Sequence, residues 1–229
     1  MPDGFRLPSA CRQLLLCLSD SWAAPTGTLQ RFRREDDSPW IREGPAIPVS
    51  LGHRGMAWGR GLHPPMGGSS KREGDQCAPA GVFTLTALFG TEDADSPVTQ
   101  AARLPYLATH AGLRCVDDAA STHYNCLVDQ TRLAPDWCSA EEMRRADARY
   151  TLGAVVAHNT APRKPGAGSC IFLHVWEAAG IPTAGCTAMA LEAMETLARW
   201  LDGRAHPLLV QLPRTEFHRL RRPWSLPER

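Results

Sequence analysis

The residues best equipped for chemistry stand in two neighbouring runs, Gly168-Ser169-Cys170-Ile171-Phe172-Leu173-His174-Val175-Trp176 and Ile181-Pro182-Thr183-Ala184-Gly185-Cys186-Thr187. A thiol attacks as thiolate, and imidazole is the side chain best suited to exchange its proton near neutral pH. Gly185 lets the backbone bend sharply before Cys186. A helix starting just after Cys186 would aim unpaired amides and a partial positive charge at the sulfur, drawing its pKa down. The amides of Gly185, Cys186 and Thr187 would then hold the oxyanion of a tetrahedral intermediate. The plainer alternative is an inert buried cysteine and an ordinary hydrogen-bonded histidine. Twelve positions of sequence between His174 and Cys186 fix no distance in space, so both readings stand at this level.

The elements that must position these groups are mostly short strands. Gln13 to Ser19 is a continuous apolar run, and the Pro25 and Gly27 turn before Leu29 to Phe32 makes a hairpin with it. Further runs at Ile47 to Leu51, Val82 to Leu88, Leu104 to Thr109, Tyr150 to His158, Ile171 to Trp176 and Leu208 to Leu212 are bounded by Gly, Pro, Asn or Asp. The fold class expected is mainly β, a sandwich or barrel-like pair of sheets with two or three short helices. One helix is expected from the capping-box spacing at Ser139-Ala140-Glu141-Glu142 to about Ala148. A second runs from about Thr187 to Leu201, with Leu191, Met194, Leu197, Ala198 and Leu201 forming one apolar stripe. Residues 60–76 and 159–168 read as loops. Residues 1–12 read as an extension and residues 213–229, rich in Arg and Pro, as a mobile tail outside a catalytic domain of 13–212.

Composition narrows the function classes. Hydrophobic residues at 43% with 21% charged residues describe a globular chain, neither disordered nor a membrane bundle. A net charge of +1 argues against a basic nucleic-acid binder. No apolar run approaches the roughly 20 residues that span a bilayer, and Leu14 to Leu18 is too short for a secretory signal. Of the 25 basic residues, only Lys71 and Lys164 are lysines, so the positive charge sits on arginine forks suited to carboxylates. Eight cysteines occur without any Cys-x-x-Cys or His-x-x-x-His spacing, so neither structural zinc nor any other cofactor is expected. Cys115 and Cys126 are near enough in sequence to bridge across a turn, whereas Cys11 and Cys17 on one extended strand are not.

Phe172-Leu173-His174 followed by Pro182-Thr183-Ala184-Gly185-Cys186-Thr187-Ala188 resembles the His and Ser/Thr-x-Gly-Cys signature of the YkuD-type L,D-transpeptidase catalytic domain. Gly74-Asp75 with Pro79-Ala80-Gly81-Val82-Phe83 is similar to that family's Gly-Asp and Pro-x-Gly strand start. Val116-Asp117-Asp118, Tyr124-Asn125 and Val128-Asp129 are similar to a branch associated with Gram-negative envelope proteins. The resemblance covers about residues 13–212. It implies a periplasmic or cell-envelope enzyme with Cys186 as nucleophile, His174 as base, the Gly185 and Cys186 amides as oxyanion hole, and Thr183 and Thr187 beside the substrate. The implied partners are peptidoglycan stem peptides, as donor and acceptor, with carbapenem-type inhibitors acylating the thiol. A 3-3 or a 1-3 cross-link would result from a thioacyl-enzyme. The chain departs from the pattern in having Ala184 where many members carry a second His, which bears on substrate choice, and in a short His174-to-Cys186 spacing, which implies a trimmed lid that would admit water. The alternatives are a peptidoglycan hydrolase on the same fold and a catalytically silent peptidoglycan-binding protein.

Other residues have two readings each. Arg72 is a clamp for stem-peptide carboxylates or a surface ion-pair partner. His158 and Asn159 line the cleft or end a strand. Asp117, Asp118, Tyr124 and Asn125 form a hydrogen-bonded corner more readily than a catalytic group. Trp58 packs inside or stacks on a sugar.

Overall fold

The computed structural model describes residues 4–228 except 37 and 94; residues 1–3 of the expected extension and residue 229 of the expected tail lie outside the described residues. The strands are Gln13–Ser19 (β1), Thr26–Arg33 (β2), Ile41–Ser50 (β3), Met56–Trp58 (β4), Ala78–Gly90 (β5), Tyr106–Ala108 (β6), Leu113–Val116 (β7), Leu127–Asp129 (β8), Ala140–Glu142 (β9), Leu152–Val156 (β10), Phe172–Val175 (β11), Thr187–Met189 (β12) and Leu208–Pro213 (β13). The α-helices are Pro97–Ala101 (α1), Leu191–Trp200 (α2) and Arg214–Leu220 (α3). The protein is mainly β, as its many short apolar runs between turn residues dictate.

The large sheet runs β10-β11-β12-β3-β2-β1-β13-β5, and β10 pairs again with β5, so these strands close a ring. Closure leaves β4 and β6 as additions on β5. β1 is paired along both edges, by antiparallel β2 and parallel β13, and is buried along its whole length, with α3 lying against it. That explains its unbroken apolar sequence: a strand covered on both faces loses the alternation of a half-exposed one. A separate sheet, β8-β7-β9, is inserted between β6 and β10 and stands beside the cleft end of the ring.

Three expectations are corrected. Ser139 to Ala148 is not a helix; Ala140–Glu142 forms β9 against β7, and Ser139 Oγ donates to Asp117 rather than capping an amide. Pairing partners distant in sequence override the local capping signal. The second helix starts at Leu191, because Thr187–Met189 is first drawn into the ring as β12 beside β11. The stretch 213–228 is not a loose tail. α3 and the turn after it bury Phe217, Leu220, Trp224 and Leu226, and the extension joins them, with Leu7 N donating to Trp224 O at 3.1 Å. Composition recorded the arginines and prolines there, while the helical spacing of Phe217 and Leu220 carried the structural information.

Candidate active site

The turn before β12 is held from two sides. Thr183 N donates to Leu51 O at 2.8 Å and His53 N to Thr183 O at 2.9 Å, which fastens the turn to the end of β3. Behind it, a Cβ on Gly185 would stand 3.1 Å from Cys77 O, so the close approach of residue 77 favours glycine. Thr183 Oγ1 completes the turn by accepting from Gly185 N at 3.1 Å and donating to Cys186 O at 2.7 Å. The Gly185 amide is thus occupied by a hydroxyl.

Parallel pairing of β11 with β12 sets Leu173 opposite Thr187 and His174 opposite Ala188. His174 and Cys186 both line one small cleft of about 90 Å³, together with Thr183, Ala188, Tyr150, Glu141, Arg145 and Arg149. Cys186 Sγ accepts from Phe172 N at 3.3 Å and donates to Cys170 O at 3.5 Å. Its thiol is pushed up to about 12, first by burial and then by Glu141; the Phe172 amide and the charges of Lys71 and Arg145 oppose this. His174 Nδ1 donates to Val175 O at 2.8 Å, leaving Nε2 as the acceptor nitrogen. Burial drives the His174 pKa down to about 4, so the imidazole is neutral at physiological pH. Among the described residues no hydrogen bond joins His174 to Cys186.

This corrects the expected source of activation. No helix start faces the sulfur; the strand β12 follows it, and the amide that points at it belongs to Phe172. Both groups are therefore neutral at physiological pH.

The opposite wall contains residues the sequence reading passed over. Tyr150 OH donates to Glu141 Oε1 at 2.9 Å, and its ring lies edge-on to His174 with centroids 5.3 Å apart. Burial raises the Glu141 carboxyl and the Tyr150 phenol above their usual values. Asp147 holds Arg145 and Arg149, each at 2.7 Å. An Arg-x-Asp-x-Arg-Tyr run leading into a strand was the available signal, and the false helix assignment hid it.

The remaining candidates are dispersed. Thr187 Oγ1 donates to buried Gln211 Oε1 at 2.7 Å and faces the core, away from the cleft. Alternation along a strand requires this: with Cys186 on the cleft face, Thr187 falls on the other. Arg72 is exposed on a second cavity. His158 is buried, with Nδ1 accepting from Arg60 N at 3.2 Å and Nε2 donating to Ala167 O at 3.0 Å. Asn159 Nδ2 donates to Lys164 O and Gly168 O, and its Oδ1 accepts from Arg60 Nε and Lys164 N. These two residues build the 159–168 loop, and neither lines the cleft. The aspartate corner is present: Asp118 accepts from Ala120 N and Cys138 N. Asn125 ties it to the same loop through His158 O and Asn159 O, both at 2.9 Å. Trp58 is buried, edge-on to Trp22. The disulfide joins Cys115 to Cys170, not to Cys126, because β7 packs beside the start of β11. Cys186 is free.

The sequence profile of the YkuD L,D-transpeptidase catalytic domain matches residues 35–213. The chain belongs to the YkuD family. YkuD domains act on peptidoglycan and are typically extracytoplasmic. A search among curated proteins finds no relative of the chain. No helix among the described residues is long and apolar enough to cross a membrane. β1, β2 and α3 lie outside the matched YkuD span yet are built into the ring and its packing.

Proposed function

We propose that this YkuD protein is a cysteine-dependent L,D-transpeptidase of the cell envelope, acting on peptidoglycan stem peptides through a thioacyl-enzyme. The observation that carries the reading is the opening onto one cleft of His174, on β11, and of Cys186, one residue before the parallel strand β12. His174 Nε2 takes the Sγ proton as sulfur attacks the carbonyl carbon between diaminopimelate and the terminal D-alanine. The C–N bond then breaks, the leaving D-alanine amine takes the proton from Nε2, and a thioester remains. An acceptor amine attacks the thioester carbon and passes its proton to Nε2, and the released thiolate recovers that proton. A new amide and the free thiol result.

The neutral state of both groups supports this sequence, because a base with an empty Nε2 can act only while unprotonated. The Cys186 amide, which has no backbone partner among the described residues, is the oxyanion donor in this scheme, with Gly185 contributing once Thr183 Oγ1 is displaced. Arg149 and Arg145 at the rim suit the carboxylates of a stem peptide.

Incubation with tetrapeptide muropeptides, followed by intact-protein and product mass spectrometry, tests the proposal. A thioester on Cys186 with loss of D-alanine and cross-linked dimers is expected. Shortened monomers without dimers would replace the transferase with a hydrolase. Labelling of Cys186 by a carbapenem no faster than that of an ordinary thiol would leave a silent binder.

A further inference from the structure

A second cavity of about 780 Å³ opens between residues 58–72 and 157–167 and shares no lining residue with the cleft. Its ionised lining is entirely cationic: Arg60, Lys71, Arg72 and Lys164, with no Asp or Glu among them. The only two lysines of the chain are both here. Lys71 is neutralised by Asp75, Nζ to Oδ1 at 2.5 Å, and is buried. Arg60, Arg72 and Lys164 are exposed and have no acidic partner among the described residues. Elsewhere on the surface arginines such as Arg12, Arg145, Arg149, Arg214 and Arg219 are paired with carboxylates.

The unpaired cations stand on a fixed floor. Arg60 Nε donates to Asn159 Oδ1 at 3.0 Å and its backbone amide to His158 Nδ1 at 3.2 Å. Lys164 N donates to the same Asn159 oxygen at 2.9 Å. One asparagine therefore sets the backbone position of Lys164 and the head-group position of Arg60, which reduces the ordering cost of a ligand that meets both. Three uncompensated positive charges around one concave surface focus a field that selects anions. Guanidinium forks favour planar oxyanions over spherical ones.

We infer that this groove binds an acidic peptide strand bearing at least two carboxylates, distinct from the strand whose carbonyl enters the cleft. That the ligand is a stem peptide rests on the function proposed above; the preference for a multiply anionic ligand does not. The groove would hold one strand of the wall while the cleft acts on another.

The test uses the full chain carrying Cys186→Ala, so that no chemistry follows binding. The probe is the stem tripeptide ending in diaminopimelate, titrated calorimetrically at low salt. Arg72→Glu with Lys164→Glu is expected to weaken binding about tenfold or more, and carboxamide capping of the peptide to do the same to the parent. Arg6→Glu with Arg222→Glu, an equal charge change at exposed arginines elsewhere, is expected to change it far less. Lys164→Gln provides a milder variant, with a melting curve showing that each protein is folded. Absence of binding by the parent, unchanged affinity in the groove variant, or equal loss in the charge control would overturn the inference. Loss only on Arg149→Glu would place the peptide in the cleft and overturn it too. A chain that binds in the groove but never forms a thioester would sink the proposed reaction alone, and the reverse pattern would sink the groove alone.

Discussion

The two cavities are built by different means. The cleft of about 90 Å³ is made where strands meet, and its reactive groups are fixed by register: β11 against β12 places His174 and Cys186 on one face. The groove of about 780 Å³ is lined mostly by loops, and Asn159 anchors part of it, holding the Arg60 head group and the backbone amide of Lys164. The contrast is clearest in two histidines. Burial drives both His158 and His174 down to about 4. His158 has both ring nitrogens engaged, whereas His174 has Nε2 unengaged and a cavity beside it. A depressed pKa alone therefore does not separate the two histidines; a ring nitrogen left unengaged beside a cavity does.

The largest effect expected follows from that difference. His174→Gln should slow thioacylation of Cys186 by about 10²–10⁴-fold, since it removes the proton acceptor. His158→Gln should instead lower stability by about 1–3 kcal/mol by leaving Arg60 N or Ala167 O unpaired. Single-turnover acylation followed by mass, alongside urea melts, separates the two; equal loss of acylation in both would erase the distinction.

Removing the Cys115–Cys170 link sharpens the comparison, because that bond fastens the sheet carrying Glu141 to the chain entering β11. It closes a separation of 55 residues, so Cys115→Ala with Cys170→Ala should cost about 2–4 kcal/mol. The loss should reach the cleft more than the groove: carbapenem acylation should slow, while tripeptide affinity on the Cys186→Ala background should change little. Chemical denaturation and both ligand assays decide this.

Acidity affects both regions with one sign. His63, His158 and His174 each fall from 6.5 to about 4 on folding. Between those values the unfolded chain binds more protons, so stability drops as pH falls from 6.5 toward 4, by up to about 3 kcal/mol per histidine. Cys11, Cys17 and Cys186 rise from 9.0 to about 12, so the folded chain holds more protons there and stability drops as pH climbs above 9.0. Urea melts across pH should show a plateau between these limits. Thioacylation by this route should also be flat across neutral pH, declining near 4 as Nε2 protonates; a steep rise across pH 7–9 would instead indicate attack by a pre-formed thiolate.

Most strands of the ring were legible in the sequence, and the cleft was half legible. β1 was readable to the residue, because an apolar run ended by Ser-Asp-Ser has few other uses, and the Thr-x-Gly-Cys turn was readable from its glycine. Strands of three residues such as β9 and β12 were not, since so short a run has no period and exists only through its partner. That loss moved the expected helix onto Glu141 and so hid the wall facing His174. A guanidinium suits stem-peptide carboxylates and a polar pair at a strand end suits a cleft lining, which is why the sequence draws Arg72, His158 and Asn159 toward the cleft. Distance in the fold separates them into the groove and its floor.

The two threonines flanking Cys186 offer the smallest and most local test. Thr183 and Thr187 stand three positions before Cys186 and one after it, and their hydroxyls are committed on opposite sides of the sheet, Thr183 to two backbone groups of the turn and Thr187 to one core side chain. The Thr183 hydroxyl closes the turn through Gly185 N and Cys186 O, inside the cleft. The Thr187 hydroxyl reaches Gln211, whose amide donates to Pro79 O at 2.9 Å, so it joins β12 to the core behind the sheet. Thr183→Val should loosen the turn and reduce thioacylation by about tenfold, with about 1 kcal/mol of stability lost. Thr187→Val keeps the shape but strands Gln211 Oε1 in the core, which should cost about 1–3 kcal/mol of stability and little acylation in the folded protein. If Thr187→Val proves the more damaging to acylation, β12 has the opposite face toward the cleft, and His174 and Cys186 no longer share one.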